Sequence, residues 1–116
     1  MRSMPSKSAT GVLHDMSRQI RLAQCFVEGL SFEGFRADRR TVYAVIRCLE
    51  IISEASRRLP DELKARHPEI PWAGMAGAGN VYRHDYEDVA DDMVWRTVQN
   101  SLPPLLAVVD DELKRT

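Results

Sequence analysis

The chain has 116 residues, of which 44% are hydrophobic and 28% charged, and a formal net charge of -1. That size and composition suit one globular domain, residues 1–116, and exclude a disordered tail; near-neutrality excludes a uniformly basic nucleic-acid surface. Charge is nevertheless uneven. Residues 1–66 carry 12 Lys+Arg against 8 Asp+Glu, a balance of +4, and residues 67–116 carry 4 against 9, a balance of -5. The two halves are expected to attract each other, and a nucleic-acid groove would be basic only locally, built from residues such as Arg18, Arg21, Arg36, Arg39 and Arg40.

Residues 1–8 read as a flexible N-terminus, because Met1–Thr10 is polar and lacks the apolar run of a signal peptide. No stretch is long and apolar enough to span a bilayer, so a cytoplasmic protein is expected. Val12, Leu13, Met16, Ile20, Ala23, Val27 and Leu30 recur at steps of three and four and predict a helix over 7–28. Gly29, Phe32, Gly34 and Phe35 then mark a connecting loop, and Asp38 is placed to cap the next segment. Val42, Val45, Ile46, Leu49, Ile52 and Leu59 repeat the helical period as far as Pro60. Cys25 and Cys48 fall in these periodic segments with no second ligand at a metal spacing, and are expected to be reduced core thiols.

A short turn over 61–66 precedes His67-Pro68, where the residue before proline is pushed out of the helical region. Trp72–His84 is expected to be a weak helix, because Gly74, Gly77 and Gly79 each cost roughly 1 kcal/mol relative to Ala. The glycine run lacks a following Gly-Lys-Ser/Thr and a preceding strand, so tight helix packing is its expected use, not phosphate binding. Val89 to Leu113 is again helical, kinked or split at Pro103-Pro104. Asp91 and Asp92 suit the dipole at its start and do not suggest a metal pair. No run alternates with period two. The predicted fold is all-α, an antiparallel bundle of four to five helices.

Chemistry concentrates in Asn80-Val81-Tyr82-Arg83-His84-Asp85-Tyr86. An imidazole exchanges protons near neutral pH without special tuning, so His84 is the candidate acid or base. Asn80 stands four residues before it, on the same face of a helix. Tyr86 joins them only if the chain leaves the helix at Asp85, which is read as a cap of the last long helix with Asp88 behind it. His14 and His67 have no partner at a catalytic spacing. Trp72 and Trp95 are assigned to the core, and Tyr82 to the core or a subunit interface.

The segments Leu49–Ala55, His67-Pro68-Glu69-Ile70-Pro71-Trp72, Gly79-Asn80 through His84-Asp85-Tyr86, Val94-Trp95 and Leu102-Pro103, in that order across residues 12–113, resemble the HepT-like branch of the HEPN superfamily. The resemblance implies a homodimeric helical bundle acting as a toxin, a metal-independent endoribonuclease that needs no cofactor. The implied partners are an RNA substrate and a minimal nucleotidyltransferase antitoxin. By position in the family motif, Asn80 is the polar residue, His84 the catalytic histidine and Tyr86 the tyrosine that the antitoxin modifies with adenylate. Gly79 stands where the family has an arginine to hold the scissile phosphate. Arg83, about 100° around the helix from His84, is the nearest candidate for that charge. The alternative is a weakened HEPN module that dimerises and binds the nucleotidyltransferase without cutting RNA.

Overall fold

The computed structural model describes residues 8–84 and 90–116, and among these every regular element is helical. Ser8 accepts a hydrogen bond from the Gly11 amide and starts α1, Ala9–Val27. The stripe read from the sequence is the buried face of α1, from Val12 to Val27. Gly29, with φ +79°, turns the chain after it, a backbone conformation that side chains resist.

The expected loop over 29–37 is instead largely a short helix, α2, Phe32–Ala37. Its N-cap is Ser31, which accepts from the Gly34 amide at 3.1 Å. Six residues have little helical stability of their own; Phe35 supplies the rest. Its ring is fully buried and lies 5.2 Å from that of Trp95. Burying such a side chain contributes about 1.5–3 kcal/mol.

Asp38 caps α3, Arg39–Ser56, as expected, accepting from the Thr41 amide at 3.3 Å and the Thr41 hydroxyl at 2.7 Å. Helix α3 is central: it packs on α1, α2, α5 and α6. After α4, Asp61–Ala65, comes α5, Trp72–His84. The final segment starts later than its periodicity suggested, with α6 at Asp91–Arg96 and Ala90 as its cap. Asp85, the expected cap, lies outside the described residues. The prolines do split this segment, but one turn early: residues Thr97–Ser101 are a π-helical turn, and α7, Leu102–Arg115, carries the prolines in its first turn. Pro103 and Pro104 have no N–H, and their rings crowd the carbonyls four residues back. The turn before them widens, so that the Leu102 amide donates to the Thr97 carbonyl.

Three ion pairs join the basic half of the chain to the acidic half: Arg21–Asp110 at 3.0 Å, Arg39–Asp91 at 2.9 Å and Arg66–Glu112 at 2.7 Å. With Arg18 beside Asp15 at 3.6 Å, three of the five arginines proposed for a basic groove are spent within the fold. Cys48 is buried as expected, but Cys25 is exposed. It lies about 200° around α1 from Ala23, by the helical period, and so turns away from the buried stripe. No helix among the described residues is long and apolar enough to cross a membrane.

Candidate active site

Helix α5 carries Asn80, Arg83 and His84, and two sets of contacts fix it. At its N-terminus, Trp72 packs on the core and its indole N–H donates to the carbonyls of Lys64 and His67, at 3.1 and 3.0 Å. The loop leading to Trp72 is in turn clasped to α7. Arg66 grips Glu112 with two hydrogen bonds, Nη2 to Oε1 at 2.7 Å and Nε to Oε2 at 3.1 Å, and His67 Nε2 lies 2.6 Å from Oε2. Glu112 is only 2% exposed. The Arg66 hydrogen bonds, helped by His67 and opposed by burial, hold its carboxyl down at about 2. An ionised carboxylate can only accept, so the proton shared with His67 sits on Nε2. His67 thus has a partner 45 residues away, invisible in local spacing. Asp111 brings a third donor within 4.8 Å of these two, but a guanidinium already occupies the carboxylate, and the cluster serves as a structural clasp.

The second anchor is the middle of α5, which meets Ser53 in the last turn of α3 and Arg57 at its C-cap, one turn further on. The Ser53 hydroxyl donates to the Met75 carbonyl at 2.7 Å, with the Ala76 carbonyl at 3.1 Å, and accepts from the Gly79 amide at 3.0 Å. It is inserted at the carbonyl and amide that an α-helix would join directly. Arg57 donates from Nη2 and Nε to the Ala76 carbonyl, at 2.8 and 3.2 Å.

Gly79 permits this approach. A Cβ there would stand 2.6 Å from Ser53 Oγ, closer than Cβ atoms come to their neighbours, and a tight 3.2 Å from Ser53 Cβ. The tight packing expected of the glycine run is therefore confined to Gly79; Cβ atoms at Gly74 and Gly77 would meet nothing within 4 Å. Position 79 is buried against α3, so the arginine that the resemblance calls for has no room there.

The helix continues to His84, so positions 80 and 84 lie one turn apart on one face. The side chains of Asn80, Tyr82, Arg83 and His84 are not among the described parts, and Tyr86 lies outside the described residues. A cavity of about 390 Å³ is lined by Leu49, Ile52, Met75, Ala78, Asn100 and Leu105 among others. It opens on the flank of α5 roughly 120–180° around from positions 80 and 84, and is no part of the motif face. Ser53, Arg57 and Glu112, which position α5, carry no signal in the sequence beyond being polar residues on apolar-periodic helices.

The comparisons place this all-α chain in a family of ribonuclease-like proteins. Residues 16–111 match the family model described as Ribonuclease HepT-like, and the chain belongs to that family. It is 40% identical over 99 residues to a probable ribonuclease HepT of Thermococcus cleftensis, covering 85% of this chain and 90% of that one. An RNase-named protein of Methanocaldococcus jannaschii is 31% identical over 111 residues, covering 96% and 92%. A third, also named as an RNase, from Caldanaerobacter subterraneus, is 36% identical over 89 residues, covering 77% and 80%. No solved structure matches the chain.

Proposed function

We propose that the protein is a HepT-like toxin, a metal-independent endoribonuclease in which His84 acts as general acid or base on an RNA ribose-phosphate. Asn80, one turn away on the same face of α5, orients the substrate, and Arg83 adds positive charge near the phosphate. The observation that carries this reading is family membership combined with the continuous helix that keeps positions 80 and 84 in register. The chain acts as a homodimer and is neutralised by a nucleotidyltransferase antitoxin that adenylates Tyr86. A bulky anion two residues from the histidine would block the approach of a substrate phosphate.

One observation favours a second reading. Position 79, where the resemblance calls for a phosphate-holding arginine, is buried and filled by the contact with Ser53; this suits a HEPN module that has kept its fold and its partner while losing cleavage. Expression of the wild type and of His84→Ala in a growth assay, with incubation of both purified proteins with RNA in EDTA, separates the two. The ribonuclease reading expects growth arrest and RNA cleavage from the wild type alone. If neither form slows growth or cuts RNA, the binding module stands. Intact mass after incubation with the nucleotidyltransferase and ATP tests modification of Tyr86 under either reading.

A further inference from the structure

We infer that Arg57, at the C-cap of α3 and outside the motif, is an RNA-contacting residue that holds a backbone phosphate beside the motif face of α5. The inference rests on the ribonuclease reading above and adds a residue that neither the motif nor the spacing within α5 points to.

Three observations carry it. First, the guanidinium is exposed, and no ion pair joins it to a carboxylate among the described residues, whereas Arg18, Arg21, Arg39, Arg47, Arg58, Arg66, Arg96 and Arg115 are all paired. Second, it is held in place: Nε and Nη2 both donate to the Ala76 carbonyl. Of the five N–H groups of a guanidinium, about three stay free for an external acceptor, in a planar fork that suits phosphate. Third, it stands on the right side of the right helix. The Ala76 carbonyl is the one that helical geometry aims at the Asn80 amide, and positions 76, 80, 83 and 84 fall within roughly 100° of one another around the axis. The guanidinium is therefore beside Asn80, and Ala76 is about 12 Å below His84 along the helix. A strand with its reacting phosphate at His84 runs a flanking phosphate past Arg57. A fixed, unpaired cation costs little to order on binding, unlike a free arginine on a bare surface.

The test measures binding of a fluorescently labelled single-stranded RNA in the non-cleaving His84→Ala background, between about 50 and 200 mM salt. Arg57→Gln, which keeps a donor for the Ala76 carbonyl but removes the charge, is expected to weaken binding about 3- to 10-fold at low salt and to lower the slope of log K against log salt by about 0.7. Arg57→Lys is expected to keep the slope. An unchanged slope in Arg57→Gln, with the melting temperature lowered, would overturn the inference and leave Arg57 a positioning residue for α5. A second measurement leaves Arg57 itself unaltered: in the full-length, non-cleaving His84→Ala chain, RNA is expected to slow phenylglyoxal modification of Arg57 several-fold by mass spectrometry, and equal rates with and without RNA would sink the proposal. Cleavage by the wild type but not by His84→Ala, together with an unchanged Arg57→Gln slope, removes this inference alone. Absence of any RNA binding removes it together with the reading on which it rests.

Discussion

The contact between Gly79 and Ser53 predicts a specific thermodynamic coupling. An alanine in place of a mid-helix glycine ordinarily stabilises by about 1 kcal/mol. At position 79 the new methyl would lie 2.6 Å from Ser53 Oγ. To clear it, Ser53 must rotate away or α5 must move off α3. Rotation forfeits the hydrogen bonds to the Met75 carbonyl and from the Gly79 amide, each contributing about 1 kcal/mol, and overpacking costs typically 1–3 kcal/mol. Gly79→Ala should therefore be net destabilising by about 1–3 kcal/mol. Ser53→Ala removes the hydroxyl and leaves only the 3.2 Å contact with Cβ, which a shift of a few tenths of an ångström relieves. In that background Gly79→Ala should cost about 1 kcal/mol or less, so the double-mutant cycle should show a coupling of about 1–2 kcal/mol. Urea denaturation of the four proteins, compared by midpoint at constant m-value, measures it. A Gly79→Ala that stabilises, or that costs the same in both backgrounds, would refute the reasoning. Gly79→Arg meets the same obstacle: restoring the family arginine perturbs packing against α3 before it can supply charge.

Two other outcomes follow from the same geometry. Gly74→Ala and Gly77→Ala, where a Cβ meets nothing within 4 Å, should each raise stability by about 0.4–1 kcal/mol, read by the same denaturation assay. The Glu112 carboxyl is held at about 2 instead of its ordinary 4.5. A depressed folded-state value means that its contribution is present above pH 4.5 and is lost as pH falls toward 2; discounting for the half-exposed Arg66 that faces it, that contribution is about 2–3 kcal/mol. Glu112→Gln should lower stability at neutral pH by a comparable amount and flatten the pH dependence below 4.5, measured by thermal unfolding across pH.

The parts of this fold legible in the sequence are those in which one helix reports on itself. The stripes of α1 and α3 repeat over many turns, and the residues that make them up, from Val12 to Val27 and from Val42 to Leu59, are buried. Asp38 as a cap was legible because capping is local. Helix α2 was not, since six residues hold too few turns to display a period and Phe35 finds Trp95 only across the fold. Cys25 shows the converse: it belongs to a periodic segment yet lies off that segment's buried face. At the site, the extent of α5 and the shared face of positions 80 and 84 were readable from spacing. What holds α5 was not: Ser53, Arg57 and Glu112 act on partners 19 to 46 residues away, and no local pattern encodes such a distance.

The wide turn at Thr97–Ser101 also explains how α6 and α7 share a single apolar line. Val94, Val98 and Leu102 are all buried and stand four residues apart twice over. In an uninterrupted α-helix each such step would drift roughly 40° around the axis, so that by Leu102 the line would have wandered well off the face set by Val94. A turn closed by a bond spanning five residues absorbs that drift. It works as a phase correction: α6 keeps Val94 and Trp95 toward α2 and α3, and α7 lays its own buried residues along α1. Removing one residue from 97–101 would shorten the chain by less than a turn, yet would rotate everything after it out of step with everything before.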